Sequence, residues 1–330
     1  MLASRYLRLC VVLVSLGLVT SSICGDEPTT KPTEKPTVDA NTEKGPLFVA
    51  VGYALRRLTS SDGIHWQHEQ AVPEHADDKA FLLRGVTYGK RRIVAVGGSR
   101  ISRILVSESF GREWQDVSIE QNFVSDVAFG NDQFVAVGYQ RSLRSSDGYK
   151  WLAPVRLGEV SWRRIEFGNG RFVAIGASGP SNAGIGWCGA TEDGVQWTQT
   201  KVSDEHVPHA IAFGNGRFVI AGNHGLRQSS RDGQTWEHRT LGAADETLLD
   251  LIWTGSEFIA TGNRGAYASA DGETWQRREL RSPSRLVFGA GRYVGCSAGR
   301  FSHSTDGIRW TPVDTQHKLS ITKIIYIPER

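Results

Sequence analysis

Residues 213–236 read FGNGRFVIAGNHGLRQSSRDGQTW, and this stretch carries both signals from which the fold follows. Phe213-Gly214-Asn215-Gly216-Arg217-Phe218 sets Asn-Gly between apolar runs. Tight hairpin turns form there, because positive φ costs Gly little and Asn less than most residues. Ser230, Asp232 and Trp236 mark a second turn of the pattern Ser-x-Asp-Gly-x-x-Trp. Both signals recur. The first returns identically at 167–172 and more loosely at 129–134 and 288–293, each time followed by a run like Val-Ala-Val-Gly. The second returns at Ser60/Asp62/Trp66, Ser145/Asp147/Trp151, Ser269/Asp271/Trp275 and Ser304/Asp306/Trp310. Thr191 replaces the Ser in the copy with Asp193 and Trp197, and a degenerate copy ends at Trp114, with Phe110 where the Asp belongs.

The seven tryptophans of these turns follow one another at 35–48 residues. The average of about 41 is the length of one four-stranded propeller blade. The first repeat opens at Pro46-Leu47-Phe48 without a first strand, while Ile321-Thr322-Lys323-Ile324-Ile325-Tyr326 has the first-strand pattern and no successor. The expected fold is all-β, a seven-bladed β-propeller over 45–330 closed by the C-terminal strand completing the first blade, which removes an exposed sheet edge. The Ser-x-Asp-Gly-x-x-Trp copies resemble Asp-boxes (BNR repeats), the turn motif of sialidase-like propellers and of seven-bladed photosystem II stability/assembly factor-like proteins. That resemblance covers Pro46 to the C-terminus. It implies the propeller fold and, through the assembly factors, a protein-binding role.

Charge narrows the partners. With 38 Lys+Arg against 35 Asp+Glu in 330 residues, the chain has no bulk attraction for nucleic acid. Arg5 and Arg8 precede an apolar stretch from Leu9 to Val19 and the small run Thr20-Ser21-Ser22, the layout of a signal peptide over 1–24. The stretch is too short for the ~20 residues of a membrane-spanning helix, so no transmembrane span is expected. Residues 25–44, with Pro28, Pro32 and Pro36 among Thr, Lys and Glu, read as a disordered Pro/Thr-rich linker. A secreted, periplasmic or cell-surface monomer is expected. Lipid anchoring at Cys24 is the less favoured route, since Ile23 stands where lipoprotein signals usually have Gly, Ala or Ser.

Acids repeated around a ring cannot all converge on one ligand. Asp62, Asp147, Asp193, Asp232, Asp271 and Asp306 are therefore expected to be structural, accepting backbone N–H groups in their turns. Cys188 and Cys296 fall in opposite parts of the ring and read as small buried residues rather than a disulfide. No Cys or His spacing suits a metal, and the Gly-rich segments lack the strand–helix context of a phosphate loop. Neither a metal nor a cofactor is expected.

Function should sit opposite the Asn-Gly and Ser-x-Asp turns, where departures from the repeat gather. Trp162 and Trp187 are the tryptophans that the repeat leaves unexplained, and both belong to the fourth repeat with its Gly-rich insertion at 177–187. With Arg163 and Arg164 they form a candidate recognition patch for a protein or glycan partner. Aligning one position per repeat gives a second constellation, Gly85, Asp126, Arg164, Ala210, Asp250, Arg285 and Lys323, expected to ring the channel mouth. The leading expectation is a non-enzymatic binding or assembly module. The alternative is an extracellular glycan-active hydrolase or lyase of sialidase-like type. Its catalytic acids would be Asp126, Asp250 and Glu166, and its substrate clamps Arg164 and Arg285. Ile327-Pro328 lies at the wrong end for a sialidase motif and lacks its Arg.

Overall fold

Runs such as Phe134-Val135-Ala136-Val137 are apolar at every position, which a strand covered on both faces requires. The computed structural model describes residues 45–120, 124–179, 184–279 and 283–329, within a compact unit spanning Asn41–Arg330. In it the apolar runs of these second strands are buried, save Tyr293 in the last, which is half-buried. Side chains alternate across a strand, so each second strand serves two cores. Val94 and Val96 pack with Phe134 and Ala136 of the following repeat, while Ile93 and Ala95 pack with Val49 and Val51 of the preceding one. The result is a β-propeller. The proposed signal peptide and linker, Cys24, and residues 180–183 of the insertion lie outside the described residues.

The described strands form six sheets, five of four strands and one of six. Seven blades were expected, and that count is corrected to six. The third and fourth repeats share the six-stranded sheet because Gln133–Ser145 and Val155–Gly168 each run on without a break. Gln133–Ser145 runs on through Gln140, which takes φ 60°, pairing with Val124–Gly130 before that point and with Val155–Gly168 around it. Val155–Gly168 changes direction near Gly158, whose φ is 64°. A corner that keeps its ladder merges two repeats into one sheet.

Closure comes from the C-terminus. Ile321–Ile327 pairs antiparallel with Leu47–Gly52, Phe48 facing Tyr326 and Ala50 facing Ile324. Arg56, fully buried, ties the segment before that strand to the first sheet. Its guanidinium donates to Glu69 Oε1 at 2.8 Å, to Thr315 Oγ1 at 2.8 Å and to the carbonyls of Gly299 and Leu319.

The Ser-x-Asp turns repeat one hydrogen-bond pattern. Asp271 Oδ1 accepts the N–H groups of Glu273 and Thr274, both at 2.9 Å, and the Ser269 hydroxyl at 2.9 Å. Ser269 Oγ accepts from Gly272 N–H at 2.8 Å. Asp62, Asp147, Asp193, Asp232 and Asp306 each accept two backbone N–H bonds in the same way. In the degenerate copy Ser109 holds the Asp position, receiving Glu113 N–H at 2.8 Å. Phe110, expected there, is an inserted residue turned into the core. Asparagine fastens these turns to the neighbouring repeat. Asn169 Nδ2 donates to the carbonyls of Gly216 (2.9 Å) and Arg231 (3.0 Å), which puts the Asn-Gly and Ser-x-Asp turns at one end of the ring.

Asp271→Ala should lower stability by ~1 kcal/mol, since the Glu273 and Thr274 N–H groups and the Ser269 hydroxyl lose their shared acceptor, and leave ligand capture by the folded protein unchanged. The Thr274 N–H above all, against partial burial, holds the Asp271 carboxyl below its usual range, helped by Glu273 N–H and Ser269. That contribution is present above about pH 4 and is lost as pH falls below it. Thermal melts of both proteins at neutral and acid pH check this. Identical melting curves would show that the turn bonds add nothing.

Cys188 and Cys296 are buried free thiols, Cys296 packing with Val294 and Phe301. No helix among the described residues is long and apolar enough to cross a membrane.

Candidate functional site

The glycine closing each Val-Ala-Val-Gly run creates the site. A methyl group on Gly97 would stand 2.0 Å from the Leu82 carbonyl oxygen, and one on Gly222 would stand 2.1 Å from that of Val207. Only glycine lets the two backbones approach so closely. At that point the first strand carries one residue too many, a β-bulge. Leu83 pairs with Gly97 and Gly85 with Val96, leaving Arg84 over. The same irregularity leaves over Ser125, Arg163, His209, Leu249 and, on the closing strand, Thr322. Ser284 holds the equivalent place before Arg285.

A bulge turns two successive residues toward the channel rather than one. The bulged residues line an open cavity of about 610 Å³ at the mouth, and the residues after them line a lumen of about 370 Å³. The aligned ring is therefore brought together: Asp126, Arg164, Ala210, Asp250, Arg285 and Lys323 all border the lumen, joined by Glu166. Gly85 differs, for a methyl group there would fall 2.3 Å from Asp126 Oδ1. It makes room for that carboxylate.

The lumen acids are committed to backbone. Asp126 is fully buried; it accepts Val127 N–H at 3.0 Å, Ile165 N–H of the next repeat at 3.2 Å, and Lys323 Nζ at 2.7 and 2.9 Å. Asp250 accepts Leu251 N–H at 3.1 Å and Leu286 N–H, again of the next repeat, at 2.8 Å. Burial pushes the Asp250 carboxyl up, against the pull of Arg285 and the Leu286 N–H. Burial pushes Glu166 up to about 7, Lys323 opposing and Asp126 adding. A carboxyl raised in the fold makes stability fall as pH rises from about 4.5 to 7, because the unfolded chain gives up its proton first. Glu166→Gln should reduce that slope and gain on the order of 2 kcal/mol over the wild type at pH 8. Chemical denaturation at pH 5 and pH 8 checks it; parallel curves for both proteins would contradict it.

The mouth is of another kind. Arg84, Arg163, Arg164 and Arg285 converge on it beside His209, and among the described residues no carboxylate lines it. Arg163 Nη1 lies 3.3 Å from His209 Nδ1, and Arg84 Nε donates to the Gly98 carbonyl at 3.3 Å. Burial pushes His209 down to about 4, with Arg163 and Arg164 adding their repulsion, so its ring is neutral at physiological pH. Burial likewise depresses Arg84, Arg163 and Arg285, and Arg164 repels all three. Like charges held together at a partly dry opening form an anion-attracting surface.

The expectation that Trp162 lies in an exposed patch is corrected. Trp162 is fully buried among Val135, Val137 and Phe172, because alternation sends it between repeats while the bulge sends Arg163 and Arg164 to the channel. Trp187 is half-buried, donates to Ser178 Oγ at 2.9 Å, and borders neither cavity. The Gly-rich insertion lengthens a hairpin, Ala177 pairing with Gly186 and Ser178 with Ile185. Sequence reasoning missed Arg84 and His209, although the column just before the aligned ring contains both. Among the described residues no cluster of three or more His, Cys, Asp or Glu is placed to hold a metal ion.

No protein family matches the chain, and no curated protein does. Solved structures do. A structure of YCF48 bound to a D1 peptide is 19% identical, with a TM-score of 0.56 over 81% of this chain and 88% of that one. A catalytically inactive virginiamycin B lyase from Staphylococcus aureus with quinupristin is 9% identical, with a TM-score of 0.58 over 72% and 86%. The computationally designed Ika8 protein is 11% identical, with a TM-score of 0.54 over 83% and 88%. At these identities the likeness shows one thing about the chain, which is that it is a β-propeller.

Proposed function

We propose that this chain is a non-enzymatic binding propeller that takes an acidic segment of a protein partner on the arginines of its channel mouth. One observation carries the reading: four guanidinium groups border a cavity of about 610 Å³ that no carboxylate among the described residues lines. Arginine forks suit carboxylates, and such a surface both attracts and orients an acidic chain. The bound D1 peptide of the YCF48 structure is in keeping with it. Hydrolysis is the weaker reading, because Asp126 and Asp250 spend oxygens on backbone N–H groups of two repeats each. To the same proposal belong seven repeat units with Asp-box turns, the structural role of the six turn acids, export by residues 1–24 and the spacer 25–44.

Fluorescence anisotropy with a labelled Glu-rich peptide and its Gln-for-Glu counterpart tests it. The acidic peptide should bind at least about tenfold tighter, with affinity falling as salt rises. Equal binding of the two peptides would overturn the reading.

A further inference from the structure

Beneath the mouth the lumen changes character along each first strand. Three residues beyond each ring position stands an aromatic side chain, and Phe129, Phe167, Phe213, Trp253 and Tyr326 lie on glycines of the preceding repeat. A methyl group on Gly214 would meet the Trp253 ring at 2.2 Å, and one on Gly289 would meet the Tyr326 ring at 2.2 Å. Phe213, Trp253, Phe288 and Tyr326 thereby form an aromatic floor to the cavity whose upper wall holds Arg164 and Arg285. Ala210 and Ala212 occupy both inward positions of the fifth repeat, and their small size leaves the volume open on that side.

The cations of the upper wall have donors to give. Lys323 is engaged by Asp126. Asp250 spends both oxygens on backbone N–H groups, and Arg285 spends one donor, Nη1, on the Ser284 carbonyl at 2.8 Å. Arg164 makes one long contact, 3.4 Å to the carbonyl of Arg163. Glu166, lifted toward neutrality by burial, adds little negative charge below about pH 7. Water against an aromatic floor is poorly held, so an apolar body displaces it favourably.

We propose that the lumen is a binding site for a small carboxylate with a planar apolar body, its carboxylate on Arg285 and Arg164 and its body over Trp253 and Phe288. Guanidinium groups match a planar carboxylate, and offset or edge contacts suit a flat ring among aromatic walls. The volume of about 370 Å³ lies within the ordinary range of small-molecule sites. The site shares Arg164 and Arg285 with the mouth, while Trp253 borders the lumen and not the mouth and Arg84 the mouth and not the lumen, so these two side chains tell benzoate binding from peptide capture.

Isothermal titration calorimetry of the full chain with benzoate, benzamide and acetate tests this. Benzoate should bind saturably, and both benzamide, which lacks the charge, and acetate, which lacks the body, should bind at least about tenfold more weakly. Trp253→Leu and Arg285→Gln should each weaken benzoate by about tenfold or more, and Arg84→Gln by less than about twofold. The three probes on the wild type need no variant, so a Trp253→Leu protein that fails to fold leaves the test intact. Absence of saturable benzoate binding, or equal binding of benzamide, overturns the proposal.

Discussion

Deletion of Ser320 through Arg330 is expected to abolish soluble folded protein. The deletion removes the strand Ile321–Ile327, leaving Leu47–Gly52 as an apolar edge with unpaired backbone groups. Such an edge is a template for aggregation. Ile321 and Ile324 leave the core that contains Phe48 and Phe301, and Ile327 leaves the core that contains Leu47 and Leu83. Three buried isoleucines at ~1.5–3 kcal/mol each already rival the ~5–15 kcal/mol of net stability of a typical domain. Lys323 goes with them, so Asp126 stays buried without its cation, a further strongly destabilising loss. Soluble yield and thermal melting of the truncated chain decide the matter. A truncated protein that is as soluble and melts as high as the full chain would show that the C-terminal strand does not close the ring.

The closing strand was legible because a repeat that begins without its first strand needs one from elsewhere, and Ile321–Ile327 had the right pattern with no successor. The turns were legible too, since Asn-Gly and Ser-x-Asp-Gly each have a local physical reason. The sheet count was not. Whether a ladder breaks at a corner depends on the φ of single residues such as Gln140 and Gly158, which no periodicity reveals. Trp162 was misread for a related reason. In a regular strand Trp162 and Arg164 would share a face, but the extra residue at the bulge separates them, burying the ring and turning Arg163 and Arg164 to the channel. The signal for that bulge was present in the sequence as the glycine of each Val-Ala-Val-Gly run. Its meaning lies in an approach of the backbones that only three dimensions display, with about 2 Å between the missing methyl group and a facing carbonyl oxygen. Once the bulge is known, the column before the ring becomes the mouth, and Arg84 and His209 join the site.

The second large effect falls on that mouth, and the account rests on it. Arg84 and Arg163 occupy bulges of the second and fourth repeats and border the mouth without bordering the lumen. Reversing both, as Arg84→Glu with Arg163→Glu, replaces two attractive charges with two repulsive ones where the carboxylates of a partner would lie. Close charge pairs couple by about 1.5 kcal/mol or more, so the double reversal should weaken the Glu-rich peptide at least about a hundredfold. Arg163 Nη1 lies 3.3 Å from His209 Nδ1 of the next repeat, so the melting temperature of the double variant is measured beside its binding and the comparison is made on folded protein. The measurement is the anisotropy titration of that peptide against wild type and double variant at low and moderate salt. The account predicts tight, salt-sensitive binding to the wild type and almost none to the variant. A variant that melts normally and binds the peptide with wild-type affinity and salt dependence would contradict it.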